Sequence, residues 1–244
     1  MPKIVIFGGS SEIGNAIARK LSHDPKREIS RVIRVSSSLM GEDIVRWKPR
    51  QTIDVLETIE KIPFEKGDIV IVALGSLGNV LVLDAQTSQF LEWNSILSLN
   101  FNIAATALLL SHSALQRAGG GTIVVLGSAA AFPVLKSNFY YGSAKLALDS
   151  IAYSLQEFSS TSRVSISIVR SAFVPTKLNK NRRPTPLSLS AEQVAALVHN
   201  NLGARVIWTP RIFKYISLIL RLNGFARKMA NKSVTSSYQS EATS

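Results

Sequence analysis

The chain has 244 residues, 46% of them hydrophobic, which suits one α/β domain with a buried core and excludes a disordered protein. It has no cysteine, so disulfides and thiolate chemistry are excluded, and its three scattered histidines (His23, His112, His199) predict no metal site. The net charge of +12 is concentrated near the C-terminus, where residues 177–244 carry eleven basic and two acidic groups. This concentration predicts an anionic partner, either a membrane surface, a nucleic acid or a phosphorylated substrate.

Strand-like and helix-like segments alternate along the chain, which predicts a doubly wound α/β fold with a parallel sheet of about seven strands. The predicted strands span residues 3–7, 31–35, 43–47, 68–73, 122–126, 164–169 and 205–208. Several are continuous apolar runs, such as Ile69-Val70-Ile71-Val72-Ala73, as is typical of strands buried on both faces. The predicted helices span 13–22, 52–61, 88–117, 139–160, 190–202 and 211–230.

Three regions follow from this pattern: a catalytic domain over 1–210, a basic amphipathic helix over 211–232 and a Ser/Thr-rich, disordered tail over 233–244. The chain begins with a strand-like run, Lys3 to Phe7, and shows no signal-peptide pattern. It also has no run of about 18 uninterrupted apolar residues. We therefore expect a protein inside the cell without a transmembrane span.

A glycine-rich loop, Phe7-Gly8-Gly9-Ser10-Ser11-Glu12-Ile13-Gly14, joins the first strand to the first helix. In that position backbone N–H groups and the positive helix end face a pyrophosphate, while Gly8 and Gly14 allow a tight turn and close packing. An ordinary structural turn explains such a loop equally well. Ala73-Leu74-Gly75, after the fourth strand, is predicted against the adenosine ribose, with a plain strand-end glycine as the alternative.

The second strand is followed by Ser36-Ser37-Ser38, where an NAD-binding protein usually places an acidic residue for the ribose 2′-hydroxyl. Serine hydroxyls accept a 2′-phosphate, and Arg34 lies near, although strand alternation can point it away. The cofactor is predicted to be NAD or NADP in reduced form, with NADP slightly favoured.

Tyr141 and Lys145 are spaced to share one face of a helix. A nearby ammonium favours the phenolate form, which makes proton exchange with a carbonyl or alcohol feasible. Ser128 follows a buried strand, so its hydroxyl is predicted to meet the phenol at the carboxyl edge of the sheet and to orient the substrate oxygen. Asn100 lies in an apolar helical stretch and requires a hydrogen-bond partner, often a buried water. Each residue alone has a structural alternative, such as a loop cap for Ser128.

This order of glycine loop, mid-helix Asn, Ser and Tyr-x-x-x-Lys resembles the short-chain dehydrogenase/reductase family over about residues 3–210. The resemblance implies a Rossmann-type fold with Tyr141 as general acid/base and Ser128 orienting the carbonyl. It implies that Lys145 lowers the Tyr141 pKa and binds the nicotinamide ribose, and that Asn100 holds a water linking Lys145 to solvent. The implied cofactor-binding residues are Gly8, Ser10, Ser11, Ile13, Gly14, Ser36, Ala73, Gly75, Tyr141, Lys145, Val174 and Thr176, the last expected at the nicotinamide carboxamide.

Three positions depart from the family pattern. Phe7 replaces the usual Thr, Glu12 replaces the middle glycine, and Ser171-Ala172 replaces Pro-Gly. A carboxylate beside a pyrophosphate repels it at short range. Glu12 is therefore expected to point away from the pyrophosphate or to contact ribose hydroxyls.

Four segments resemble a subgroup of the family, the actinobacterial decaprenylphosphoryl-2-keto-arabinose reductases, through about residue 228. They are the Glu12 loop, Val72-Ala73-Leu74-Gly75-Ser76-Leu77-Gly78, Tyr140-Tyr141-Gly142-Ser143-Ala144-Lys145 and Trp208-Thr209-Pro210-Arg211. The resemblance implies reduction of decaprenylphosphoryl-2-keto-erythro-pentose to decaprenylphosphoryl-arabinose for cell-wall arabinan, after a flavin-dependent oxidase partner has made the keto sugar. The wider family resemblance implies a homo-oligomer, a dimer or tetramer, in which the helices 88–117 and 139–160 pair between subunits.

The C-terminal segment 211–229 is apolar, aromatic and basic, a pattern that suits the headgroup zone of an anionic membrane. A domain-closing or interface helix is the alternative. Four basic residues between Lys177 and Arg183 follow Thr176 and can bind a substrate phosphate, or are solvated loop charges. These features favour a polyprenyl-phosphate-sugar substrate and a peripheral location on the cytoplasmic side of the plasma membrane.

Two other functions stay open. One is reduction or oxidation of another ketone or alcohol, such as a 3-oxoacyl chain or a steroid, because fold-level likeness does not set the substrate. The other is a non-catalytic nucleotide- or nucleic-acid-binding protein, which the charge allows. We expect no nucleic-acid partner, because all four catalytic positions are filled and the basic residues are mixed with apolar ones.

Overall fold

The structure is a computed structural model and describes residues 1–47, 52–78, 87–135, 138–158, 163–180 and 184–222. Seven strands form one parallel sheet in the order β3-β2-β1-β4-β5-β6-β7. They are β1 (Ile4–Phe7), β2 (Val32–Ser36), β3 (Ile44–Arg46), β4 (Ile69–Val72), β5 (Gly121–Leu126), β6 (Val164–Ser171) and β7 (Val206–Thr209). The predicted doubly wound sheet is confirmed, with every strand boundary within two residues of its prediction.

The strands are apolar throughout because helices cover both faces of the sheet. Along β1, Ile4 and Ile6 pack into one core cluster and Val5 and Phe7 into the other, and all four are fully buried. Helices α1 (Glu12–Ser22) and α6 (Ala191–Asn200) cover the first face. The opposite face is covered by α2 (Ile53–Glu60), α4 (Ala104–Arg117) and α5 (Phe139–Phe158).

The predicted helix 88–117 is not one regular α-helix. It consists of α3 (Thr87–Leu97), a π-helical segment (Ser98–Ile103) and α4. Asn100 sits in the π-helical segment, and its side chain binds backbone groups of Ile96 and Ser76. Wider turns of this kind are frequent at functional sites.

One stretch, Phe90–Arg117, is long and apolar enough to cross a membrane by length and composition. The expectation of no such span relied on an uninterrupted apolar run, and polar residues such as Asn100 interrupt this one. In the structure Ala104, Leu108 and Leu115 of this stretch are fully buried against the sheet. Packing in the core therefore accounts for its apolar character.

The C-terminal helix α7 (Phe213–Leu222) follows β7 and begins two residues later than predicted. The rest of that prediction, and the predicted tail 233–244, lie outside the described residues. Because β1 leads to β2 on one side and β4 lies on the other, the strand order reverses beside β1. Ligands of open α/β sheets bind at the carboxyl edge of such a switch point.

Candidate active site

A cavity of about 570 Å³ opens at this switch point. Its wall combines the loop after β1, the ends of β2 and β4, helix α5 and the segment after β6. The predicted site residues that line it are Gly8, Ser10, Ser11, Ile13, Ser36, Ala73, Gly75, Tyr141, Lys145 and Thr176. One cavity therefore collects residues from five separate parts of the chain.

The phosphate loop is shaped by close contact with the end of β4. Gly8 has φ +89°, and a Cβ there would lie 2.7 Å from the Ala73 carbonyl oxygen. A Cβ on Gly14 would lie 3.0 Å from that of Ala73, which explains why Gly14 packs beside the cavity without lining it. Ser11 caps α1 by accepting the Gly14 N–H at 3.1 Å. The loop thus brings a helix N-terminus to the cavity, as a pyrophosphate requires.

Phe7 has a structural role. Its ring is fully buried and meets the Trp47 indole edge to face at 5.8 Å between centroids. Trp47 follows β3 and lines the cavity, although the sequence reading did not include it. Its place directly after a strand, at the same sheet edge, was the signal that could have identified it. Phe7 therefore packs against Trp47, a residue of the cavity wall.

Ser36, the last residue of β2, and the two serines that follow it line the cavity near Trp47. Ser36 is buried, with its Oγ 3.3 Å from the Ser38 N–H, while Ser37 and Ser38 are exposed at the cavity mouth. Arg34 lies on the phosphate-loop side, since a Cβ on Gly9 would come within 2.7 Å of the Arg34 Cβ. Its Nε donates to the Asn15 Oδ1 at 2.8 Å, and it is not among the residues that line the cavity.

Lys145 is buried beneath the cavity. Its Nζ donates to the carbonyls of Leu74 at 2.9 Å and Leu126 at 3.0 Å, which ties α5 to the ends of β4 and β5. Burial lowers the pKa of Lys145 to about 8, because an ammonium is poorly solvated there. The same Nζ lies 5.9 Å from the centroid of the Tyr141 ring. Tyr141 and Lys145 therefore face one another one helical turn apart.

Asn100 lies directly behind this pair. Its Nδ2 donates to the carbonyls of Ile96 and Ser76, each at 2.8 Å, and its Oδ1 accepts the Ser76 N–H at 3.2 Å. A Cβ on Gly75 would lie 3.0 Å from the Asn100 Oδ1 and 3.5 Å from the Lys145 Nζ. Gly75 is thus the residue that lets Asn100 and Lys145 approach each other. Asn100 itself does not line the cavity.

Ser128 lies just past β5 and is 8% exposed. Its Oγ accepts the Ala130 N–H at 3.1 Å and caps the short turn Ala129–Ala131. The structural and functional interpretations of Ser128 are compatible, because a hydroxyl that accepts one bond still has its own proton to donate. It is not among the residues that line the cavity itself.

The segment after β6 brings two predicted residues to different places. Thr176 lines the cavity, whereas Val174 is buried in the core below it, with its carbonyl accepting the Asn179 Nδ2 at 2.8 Å. Glu12 turns away from its own loop, and its Oε2 accepts the Lys177 backbone N–H at 2.6 Å. Lys177 also lines the cavity, and residues 181–183 of the predicted basic cluster lie outside the described residues.

An ion pair that was not predicted from the sequence joins β6 to α5. Arg170 of β6 binds Asp149 of α5 through two bonds, Nε to Oδ1 at 2.9 Å and Nη2 to Oδ2 at 2.7 Å. Its guanidinium also stacks 4.1 Å from the ring centroid of Phe132, four residues after Ser128. A basic residue within a buried strand was the available signal, since such a charge requires a partner.

With this geometry in place, the relationship to known proteins is clear. Residues 2–187 match the short chain dehydrogenase family, and the chain belongs to that family. It is an oxidoreductase whose cofactor is NAD or NADP, which agrees with the cavity, the glycine loop and the Tyr141–Lys145 pair.

Two relatives of similar length are known from sequence. An uncharacterized oxidoreductase of Streptomyces coelicolor is 30% identical over 222 residues, covering 85% of this chain and 86% of the relative. An uncharacterized oxidoreductase of Mycobacterium tuberculosis is 29% identical over 235 residues, covering 90% and 92%. These names identify no substrate.

Many solved structures share the fold, among them the following two. A short chain dehydrogenase from Burkholderia cenocepacia, in complex with NADP, has a TM-score of 0.75 at 15% identity, covering 94% of this chain and 97% of its own. ElxO with NADP bound has a TM-score of 0.67 at 18% identity, covering 85% and 96%. Both confirm the single-domain Rossmann-type architecture.

Proposed function

We propose that this enzyme uses NADPH or NADH to reduce a keto group on a lipid-linked sugar, converting decaprenylphosphoryl-2-keto-erythro-pentose to decaprenylphosphoryl-arabinose for cell-wall arabinan synthesis. The observation that carries the lipid part of this proposal is the exposed apolar face of α7. The sugar part rests on the sequence resemblance of the Glu12 loop and three other segments to that subgroup of reductases.

The site residues have roles that suit carbonyl reduction. NADPH or NADH, held by the phosphate loop and the residues that line the cavity, would supply the hydride for the carbonyl carbon. We assign to the Tyr141 hydroxyl the donation of a proton to the carbonyl oxygen, and to the Ser128 hydroxyl a hydrogen bond to that oxygen. The Lys145 ammonium, held by two backbone carbonyls, stabilises the tyrosinate that remains. Asn100 fixes the loop after β4 against this lysine.

Helix α7 presents apolar side chains to solvent. Tyr215, Leu218, Ile219 and Leu222 are 63%, 53%, 57% and 78% exposed. Lys214 and Arg221 lie on the same short helix, and Arg227, Lys228 and Lys232 follow it in the sequence. An exposed apolar face with basic residues binds the interface of an anionic membrane. Because α7 follows the carboxyl end of β7, the membrane would lie near the edge of the sheet that carries the site.

This arrangement suits a substrate whose lipid stays in the membrane while its sugar reaches the cavity. We assign the enzyme to the cytoplasmic face of the plasma membrane as a peripheral protein. Lys177 at the cavity wall supplies a cation for the sugar-lipid phosphate. A flavin-dependent oxidase would supply the keto sugar.

The part of the cavity beside Ser37 and Ser38 favours NADP over NAD. Among the described residues that line the cavity, the single acidic side chain is Glu12, and it binds the segment after β6 instead of the ribose end. Ser37 and Ser38 offer hydroxyls where an acid would reject a 2′-phosphate. The two related folds described above also hold NADP.

Other exposed apolar side chains, on α4 and α5, support a homo-oligomer. Leu109 of α4 and Leu146 and Tyr153 of α5 are exposed although their helices pack side by side. Burying these side chains against the same helices of a second copy would remove them from water.

The test is a coupled reaction containing the flavin oxidase, decaprenylphosphoryl-ribose, this enzyme and NADPH or NADH. We expect decaprenylphosphoryl-arabinose to form with equimolar consumption of reduced cofactor, and no arabinose product without this enzyme. Consumption of cofactor with soluble ketones, with none for the keto-sugar lipid, would replace this proposal with a short-chain reductase of another substrate.

A further inference from the structure

Glu12 occupies an unexpected place for a carboxylate. It is the first residue of α1, at the positive helix end that faces the pyrophosphate side of the cavity. Its Oε2 nevertheless accepts the backbone N–H of Lys177, 165 residues further along the chain, at 2.6 Å. The contact joins the phosphate loop to the segment Pro175–Lys180, here called the β6 segment.

The other hydrogen bonds of the β6 segment are local. The Asn179 N–H donates to the Thr176 carbonyl at 2.8 Å, and the Lys180 N–H to the Lys177 carbonyl at 3.4 Å. Its side-chain bond, from the Asn179 Nδ2, reaches only back to Val174. Within the described part of the chain, the bond from Lys177 to Glu12 is the one that ties this segment to another element.

Glu12 also lines two cavities. One is the 570 Å³ cofactor cavity, which Glu12, Thr176 and Lys177 help to line. The other, a second cavity of about 630 Å³, is lined by Ser10, Glu12 and Pro175, among others. Glu12 and the β6 segment therefore both contribute to the walls of these two cavities.

We infer that Glu12 is a positioning residue, which holds the β6 segment beside the phosphate loop through the Lys177 N–H and so fixes this part of the cofactor cavity's wall. The carboxylate oxygen is the acceptor in this hydrogen bond, and the amide oxygen of a glutamine at the same position can accept it too. Since the charge lies beside the pyrophosphate position, it weakens cofactor binding by repulsion. This inference rests on cofactor binding, not on the lipid-linked substrate proposed above.

The experiment compares three full-length variants with the wild type. Glu12→Gln keeps the acceptor without the charge, and Glu12→Ala removes both. Glu60→Gln, at an exposed position of α2, removes an equal charge elsewhere and serves as the control. Hydrogen–deuterium exchange of the peptide containing Lys177 reports the contact directly, and NADPH titration by protein fluorescence reports cofactor affinity.

We expect exchange at residues 175–180 to rise about three- to tenfold in Glu12→Ala and to stay at the wild-type rate in Glu12→Gln and Glu60→Gln. We expect Glu12→Gln to bind NADPH more tightly than the wild type, and about three- to tenfold more tightly than Glu12→Ala. Equal exchange at residues 175–180 in Glu12→Ala and Glu12→Gln, with or without equal NADPH affinity, would overturn the inference. The acceptor oxygen at this position would then have no effect on the segment.

Discussion

At the scale of single residues, Lys145 connects burial with chemistry. Its ammonium has lost water and gained two carbonyl partners, Leu74 and Leu126, and burial lowers its pKa to about 8 from 10.5. Between these two pH values the unfolded chain holds a proton on this side chain that the folded chain has lost. The free energy of unfolding therefore gains a contribution as the pH rises from about 8 to 10.5.

We predict that this contribution is visible against Lys145→Met, which cannot titrate. Relative to that variant, the wild type should gain up to ~3 kcal/mol of unfolding free energy across this pH range. Urea unfolding at a series of pH values measures the difference. Parallel pH profiles for the two proteins would show that Lys145 keeps an ordinary pKa in the fold.

The exposed residue Ser37 is predicted to affect the choice between NADPH and NADH. A carboxylate at this exposed position would repel a 2′-phosphate, so Ser37→Asp should weaken NADPH binding by about tenfold or more while NADH binding changes little. Ser37→Asn supplies similar volume without the charge and should keep the wild-type ratio. Titration with NADPH and with NADH measures both affinities in each variant. An unchanged NADPH affinity in Ser37→Asp would mean that the 2′-phosphate binds elsewhere.

At the scale of elements, α5 carries two carboxylate–arginine pairs in opposite surroundings. Asp149 is 3% exposed and bound twice by Arg170, whereas Glu157 pairs with Arg205 on the surface. Removing one partner of a buried pair leaves an uncompensated charge, while exposed pairs contribute little.

We therefore predict that Asp149→Ala lowers the free energy of unfolding by about 3–5 kcal/mol and that Glu157→Ala lowers it by less than about 1 kcal/mol. Chemical denaturation measures both. Similar losses in the two variants would mean that the Arg170–Asp149 pair does not brace β6 against α5.

The proposed contact between helix α7 and the membrane can be tested by measuring vesicle binding. Leu218→Glu places a negative charge on its exposed apolar face and should reduce binding to anionic lipid vesicles by about tenfold or more. Leu56→Glu makes the same exchange at a partly exposed position of α2 and should bind as the wild type does. Vesicle co-sedimentation reports both, and equal binding by all three proteins would remove α7 from the proposed membrane contact.

The elements themselves were largely predictable from the sequence. Strands covered on both faces read as apolar runs, and the glycine loop and turns mark their ends. The π-helical segment was not predicted, and in it Asn100 binds the Ser76 backbone, 24 residues earlier. Local periodicity carries no information about such a partner.

At the scale of the whole molecule, only part of the candidate site is formed by residues close together in the sequence. Tyr141 and Lys145 are one turn apart, and Ser128 follows a recognisable strand, so sequence reasoning could group them. The contacts that complete the surroundings are long-range. Glu12 meets Lys177, Arg170 meets Asp149, and Trp47 meets Phe7 only once the sheet has formed. Their positions follow from strand order, which a single sequence specifies only indirectly.

The central claim is that Tyr141 supplies the proton for reduction of a keto-sugar lipid at this sheet edge. The most direct test compares wild type and Tyr141→Phe with the keto-sugar lipid and NADPH, measuring both cofactor affinity and turnover. We predict that Tyr141→Phe lowers turnover by about 10²–10⁴-fold, while NADPH affinity stays within about twofold. Turnover that survives in Tyr141→Phe would contradict the assignment of this residue as the proton donor.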